Sequence, residues 1–417
     1  LILSGFNIQI PTTVRSAMTA LKKQGYQVYV VGGAVRDCVL GKEPHDWDLA
    51  TNAEPELVKE CFSKTIDTGL KHGTVTAVID ESLIEITTFR TEGKYSDGRH
   101  PDYVRFVGDI KDDLFRRDFT INAMAIDYQG RIVDPYGGLT DIEAKRIRCV
   151  GNPHDRFRED ALRMLRALRF ESTLGFSLDD SVKAAIKQDL SLLSATVSKE
   201  RVREELCKMI KAPKASTGYK DAAELGVLSE IHPILGRLSS NSPCLKYLDE
   251  APEDLQIRWA ILLQELCFAY SAKDVLACLR FSYEDMHGVC EYIKYCDCVD
   301  MSLKEARRFA ADHNKDFLRG LAVTQRAHGL VTTPGYCSQA VAKAWAAIKD
   351  HTAIKMKDLL IDGNDLIQMG YQGKEVGDML KDLYDDCLEE PSHNEREYLL
   401  SVAEACRKRP AEPDRTL

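Results

Sequence analysis

The chain has 417 residues, 44% of them hydrophobic and 29% charged, with a net charge of −9. That length exceeds what one compact core usually holds, so at least two units are expected. The composition excludes a disordered chain, and no run approaches the roughly 20 apolar residues that a membrane span requires. The opening LILSGFNIQI lacks an initiator Met and the basic start of a signal peptide, as a trimmed chain would. Thirteen scattered cysteines with no CxxC pair point to reduced thiols in a cytosolic protein.

Fourteen of the 26 glycines fall within residues 1–151, which suggests short strands and turns first and long helices afterwards. YQVYVV (26–31) reads as a strand ending in Gly32-Gly33, and AVRDCVL (34–40) as a helix stopped by Gly41. DWDLAT (46–51), GTVTAVID (73–80) and SLIEITTFR (82–90) read as strands, the last two joined at Asp80-Glu81 as a hairpin. EPELVKECF (54–62) is helical, and residues 124–135 form a further strand pair. RTEGKYSDGRHPDYVRFV (90–107) is polar, carries glycine and has no periodicity, so it reads as a surface loop. From Asn152 onward the spacing is helical: 156–170, 181–193 and 198–210, then looser helices over 216–350 and a last unit near 361–405. The expected fold is α+β, with a mixed sheet and its helices followed by an all-α remainder.

The overall negative charge hides a reversal. Between Lys145 and Arg169 eight basic residues face three acidic ones, a local +5 that suits a polyanion. Taken alone, such a stripe is more often a solvated helix face. Asp46 and Asp48, two apart in an extended segment, present their carboxylates on one face, and hard carboxylate oxygens suit Mg²⁺. Gly32 and Gly33 end a strand and open a helix, leaving N–H groups free for a phosphate, with Arg36 in reach of the same anion. Neither motif is specific by itself; the glycine turn placed 13 residues ahead of the DxD is a much rarer combination.

GGAVRD followed by DWDLAT resembles the signature of polymerase-β-like nucleotidyltransferases, specifically the class II tRNA nucleotidyltransferases (CCA-adding enzymes). DTGLKHGTV (67–75), DDLFRRDFTINAMAID (112–127), FREDALRMLRALRF (157–170), SKERVREEL (198–206) and IDGNDLIQMGYQGKEVG (361–377) are similar to later blocks of the same family. The resemblance implies a nucleotidyltransferase head (1–150), a base-recognising neck (151–215), and a helical body (216–350) and tail (351–417) that bind tRNA. It implies catalysis and two-metal Mg²⁺ binding at Asp46 and Asp48. Nucleotide binding would fall to Gly32, Gly33, Arg36, Arg117, Asn122, Asp160, Arg163, Arg166 and Arg169. The implied activity is untemplated addition of C, C and A to the 3′ end of tRNA from CTP and ATP, in the cytoplasm.

A carboxylate beside a guanidinium, as Asp160 and Arg163 would be on one helix ridge, offers an acceptor next to a donor. Cytosine and adenine show the complementary pattern; uracil and guanine show the opposite one. Glu85 stands open as a third carboxylate, and His72 reads as a turn residue rather than a base. In the resembling family a flexible loop at 90–107 accompanies full CCA addition, and the block at 67–75 is that of the tRNA-directed branch rather than the poly(A) polymerases. No HD phosphohydrolase pair is visible in the C-terminal half, so no attached phosphatase is expected. A-only or CC-only addition, poly(A) synthesis, and a tRNA-binding protein with a degenerate head remain as alternatives.

Overall fold

A computed structural model describes residues 2–3, 9–93, 103–329 and 337–408. The chain divides into two compact units, one of residues 1–255 with 274–281 and one of residues 256–273 with 282–417. Among the described residues no helix is long and apolar enough to cross a membrane, and none of the thirteen cysteines forms a disulfide.

The first unit is built on a mixed eight-stranded sheet. Its strands are β1 (Ile2–Leu3), β2 (Val28–Val31), β3 (Asp48–Thr51), β4 (Thr65–Gly69), β5 (Thr74–Ile79) and β6 (Ser82–Thr88), with β9 (Ala125–Asp127) and β10 (Ile132–Val133) completing it. The spatial order is β1-β10-β9-β2-β3-β6-β5-β4. β2 lies centrally, antiparallel to both β9 and β3, while β3 runs parallel to β6. Every residue of β2 but Tyr29 is buried, as a central strand of β-branched residues requires. Asp80 and Glu81 close the β5–β6 hairpin with φ of 46° and 66°, the pair of positive values that a two-residue turn of matching twist demands. Two further strands, β7 (Arg90–Glu92) and β8 (Val104–Phe106), pair as a separate ribbon. The segment read as an unpatterned loop therefore begins and ends in strand; its centre, 94–102, lies outside the described residues.

The helices of this unit include α1 (Thr12–Lys23), α2 (Gly33–Val39), α3 (Pro55–Glu60), α4 (Ile110–Phe115), α5 (Gly138–Glu143), α6 (Pro153–Glu159), α7 (Leu162–Leu174), α8 (Asp180–Asp189), α9 (Ser191–Thr196), α10 (Lys199–Ile210), α11 (Ala215–Glu224), α12 (Val227–Ile231) and α13 (Cys244–Glu250). The helix expected over 156–170 is in fact two. Asp160 is extended, with φ −149° and ψ 105°, and separates α6 from α7. Its side chain accepts the N–H of Leu162 at 3.0 Å, so an aspartate that helical spacing places inside a helix instead serves the start of the next one. The stretch 181–193 likewise spans two helices, α8 and the beginning of α9. α7 is anchored through Leu162, Leu165 and Leu168, all buried.

Beneath α7 sits a carboxylate pair. Glu171 is 2% exposed, and Lys183 Nζ lies 2.6 Å from Asp221 Oδ2 on α11. Burial, and then the charge of Asp221, push the Glu171 carboxyl up to about 8, against the pull of Lys183. Between its ordinary value near 4.5 and about 8 the folded chain holds a proton that the unfolded chain has released. Stability conferred by that proton is complete at acid pH and is lost as pH rises through this window. Glu171→Gln is expected to abolish that slope, gaining on the order of 2 kcal/mol over wild type at pH 8.5 and nothing at pH 5. Paired thermal melts from pH 5 to 9 read the difference directly; parallel curves would refute it.

The second unit is helical. It contains helices Tyr283–Tyr295, Leu303–Asp312, Lys315–Ala327 and Gln339–Lys349, with Lys374–Glu389 and Arg396–Lys408 at its C-terminal end. Its last helices close on a core of Leu366, Leu383, Cys387, Leu399 and Ala403. Tyr292 stacks on Phe317 at 4.5 Å. Asp362 and Asp365 cap the short helix Gly363–Gln368 reciprocally.

Candidate active site

The register of β2 against β3 sets Val31 opposite Asp48, so the turn after one strand and the carboxylate opening the other lie side by side. Gly32 holds φ +75°, and a Cβ there would stand 3.0 Å from Arg117 Nη1. The backbone angle therefore favours glycine, and a Cβ would crowd the Arg117 guanidinium.

Around this point opens a cavity of about 550 Å³. The structure brings Gly32, Gly33, Arg36, Asp48, Arg117, Asn122, Asp160, Arg163, Arg166 and Arg169 to its lining, together with Arg116, Asp118, Leu162, Phe170 and Arg201. Asp46 is not among them. It precedes β3 rather than lying in it, is exposed, and lines the neighbouring cleft that also holds Asp48 and Glu85. The expected strand thus starts two residues later, at Asp48.

Seven arginines against three aspartates make the lining a polyanion site. Each arginine is pinned by a carboxylate. Arg36 pairs with Asp37, Arg163 with Glu159, and both Arg116 and Arg117 with the fully buried Asp113. Arg169 Nε lies 2.5 Å from Glu205. Arg36, Arg166 and Arg169 gather around the ring of Phe170 at 5.3, 5.5 and 4.0 Å from its centroid.

Asp118 is the hub. Arg166 donates to its Oδ2 through Nε at 2.8 Å and Nη2 at 2.6 Å; the N–H of Phe119 and Asn122 Nδ2 donate to Oδ1. Asn122 then accepts from Arg36 Nη1 at 2.8 Å. Burial works to raise the Asp118 carboxyl, but the Arg166 and Arg163 guanidiniums hold it at about 2. Asp118→Asn leaves Arg166 with a neutral partner, and is expected to cost about 3 kcal/mol in a urea melt. A loss below 1 kcal/mol would mean that the network relaxes around the change.

Asp160 does not pair with Arg163. Arg201 of α10 grips it with both terminal nitrogens, at 3.2 and 2.7 Å, while Arg163 donates to Glu159 and to the carbonyl of Arg156 at 3.1 Å. The single ridge expected from three-residue spacing is broken at Asp160, yet both side chains still face one cavity. Arg116, Asp118, Leu162, Phe170 and Arg201 are not among the residues that the sequence motifs single out. Asp118 carried a signal in the run Arg116-Arg117-Asp118; Arg201 acts across 41 residues of chain, beyond any local pattern.

Desolvation, and next the charge of Glu85, raise the Asp48 carboxyl; Arg117 opposes them and Asp46 adds to them. A cation would relieve this crowding, and Mg²⁺ takes one or two carboxylates along with substrate phosphates, so the donors fit. Among the described residues no three His, Cys, Asp or Glu side chains converge as a metal cluster; Glu85 bears on Asp48 through its charge. His72 sits in a 3₁₀ turn, and its carbonyl accepts from Arg90.

Two family models match, the poly A polymerase head domain over residues 28–148 and the probable RNA and SrmB-binding site of polymerase A over 175–238. A CCA-adding enzyme of Lactobacillus delbrueckii subsp. bulgaricus is 45% identical over 259 residues, covering 61% of this chain and 65% of that relative. The CCA-adding enzyme of Lacticaseibacillus paracasei is 34% identical over 401 residues, 93% of this chain and 96% of that one. The chain belongs to the CCA-adding enzyme family. The crystal structure of the Bacillus stearothermophilus CCA-adding enzyme in complex with CTP superposes with a TM-score of 0.80 at 30% identity, over 96% of this chain and 98% of the other. The family's α+β head and helical remainder are those described above.

Proposed function

We propose that this chain adds C, C and A to the 3′ end of tRNA from CTP and ATP, without a nucleic-acid template, releasing pyrophosphate. The observation that carries the reading is the convergence of Asp48, the Gly32-Gly33 turn and seven paired arginines on one cavity. Membership of the family along nearly the full length supports it.

The triphosphate lies against the arginines and the open N–H groups after Gly32. Asp160 accepts from the exocyclic amino group of cytosine or adenine, and Arg163 donates to the adjacent ring nitrogen. Asp46 and Asp48 would hold two Mg²⁺ ions, which when bound would ease ionisation of the attacking hydroxyl and offset phosphate charge. The terminal 3′-oxygen forms its bond to the α-phosphorus as the bond to the bridging oxygen breaks, and pyrophosphate departs with that electron pair. The hydroxyl proton passes to an Asp48 carboxylate oxygen. Residues 1–150 act as head, 151–215 as neck, and 216–350 and 351–417 as tRNA-binding body and tail, in the cytoplasm that cysteines without disulfides favour.

The test is extension of tRNA transcripts ending before CCA, after C and after CC, each with CTP, ATP, both, or UTP and GTP, in Mg²⁺. All three should converge on one CCA end, with UTP and GTP refused. Extension of the CC-ended transcript alone would make this an A-adding enzyme, and long A tails a poly(A) polymerase.

A further inference from the structure

Behind the cavity wall at Arg116 lies a buried cluster of charge. Three guanidiniums, of Arg90, Arg116 and Arg117, gather about two carboxylates, of Glu92 and Asp113. Asp113 Oδ1 accepts from Arg116 Nε at 3.0 Å, and its Oδ2 accepts from Arg117 Nη2 at 3.3 Å. Glu92 bridges the other pair through one oxygen: Oε1 accepts from Arg90 Nε and from Arg116 Nη1, each at 3.0 Å. Its side chain is 7% exposed, so this charge acts with little screening by solvent. Arg116 and Arg117 line the nucleotide cavity; Glu92 and Asp113 do not.

The two carboxylates come from different elements. Asp113 lies on α4, one turn before Arg116, whereas Glu92 lies on β7 of the separate ribbon. Arg90 and Glu92, two apart in that strand, share one face of it. The ribbon in turn is seated on the His72-Gly73 turn. Arg90 Nη1 donates to the His72 carbonyl. Gly73 has φ +78°, and a Cβ there would stand 2.8 Å from the ring of Phe106 on β8, the residue paired with Arg90 across the ribbon. The KHG turn thus bears on the site without lining it: through Arg90 and Phe106 it fixes the strand that carries Glu92.

We propose that Glu92 is a positioning residue for the incoming nucleotide, holding the Arg116 guanidinium at the cavity wall from the ribbon side. The inference rests on the nucleotide-transfer reading above. Asp113 cannot do this alone, because it already serves Arg117 as well as Arg116, and its Oδ1 also accepts the backbone N–H of Arg90 at 3.3 Å. Without the charge of Glu92, two guanidiniums face each other across a space that holds little water. Arg116, whose side chain reaches the open cavity, is the one that yields.

The test is titration of CTP into the full chain by calorimetry without RNA, beside steady-state extension of a tRNA transcript lacking CCA. Glu92→Gln keeps the shape and removes the charge. It should raise Kd for CTP and KM for CTP and ATP about tenfold, the worth of one charge-assisted hydrogen bond. kcat and tRNA affinity should stay within about twofold of wild type. Glu92→Asp keeps the charge on a shorter stem and should bind CTP within about threefold of wild type. A role in packing alone predicts the reverse order, glutamine tolerated and aspartate harmful, and that order would overturn the assignment. So would unchanged CTP affinity in Glu92→Gln, or a fall in its kcat with KM held. Should Glu92→Gln melt below the assay temperature, the aspartate variant decides: near-native affinity supports the charge role, and a loss of about tenfold or more refutes it. Because CTP is titrated without RNA, a wild-type chain that binds it and extends no transcript refutes the transfer reaction alone, and the variants' affinities still decide the role of Glu92.

Discussion

Asp48→Ala is expected to reduce nucleotide transfer by at least about 10³-fold in kcat, the scale of removing one preorganised charged group from a reaction centre. The side chain opens β3 beside the Gly32 turn and is the one residue common to both clefts, so nothing nearby can replace it. Because desolvation, and next the charge of Glu85, disfavour its ionised form, its removal leaves the melting temperature unchanged or slightly higher. Binding of tRNA by filter retention should persist. Retained turnover would place catalysis on other residues, and a wild-type chain that binds tRNA without turnover would be an RNA-binding protein with an inactive head.

The second large effect falls on base choice. Asp160→Ala removes the acceptor that the exocyclic amino group of cytosine or adenine requires, and leaves Arg201 without its carboxylate. The expected loss in kcat/KM for CTP and ATP is about 10²-fold, near the upper end of 1–3 kcal/mol for a buried hydrogen-bonding group left unmade. Discrimination against UTP should collapse with it, since a carbonyl no longer meets a carboxylate. Arg201→Ala is expected to give part of the same phenotype, because Asp160 then loses the fork that orients it. Competition assays with CTP and UTP together measure the ratio. Full selectivity in Asp160→Ala would place base reading elsewhere in the cavity.

Much of this site is legible in the sequence because its parts are local. A strand ending in two glycines, a helix carrying Arg36 on its first turn, and carboxylates two apart each follow from short-range rules. The break at Asp160 was hidden by success of another kind: Arg163, Arg166 and Arg169 keep a perfect three-residue spacing, and that rhythm ran straight through a residue whose side chain caps the next helix. β4 escaped notice because TIDTG is short, polar and mostly exposed, with little of the alternation that marks a half-buried strand. Partners such as Asp118–Arg166 and Arg169–Glu205 are 48 and 36 residues apart, set by packing that no window of sequence contains.

The pairing of every cavity arginine with a carboxylate has a consequence for how the molecule tolerates change. The forks are already held in place before any phosphate arrives, so binding need not spend side-chain entropy to order them. A lysine keeps the charge but has no second nitrogen to bond its carboxylate while another faces the ligand. Exchange of Arg166 for lysine therefore alters the site's rigidity rather than its charge, and sequence drift within this cavity is constrained by shape even where the electrostatics would permit it.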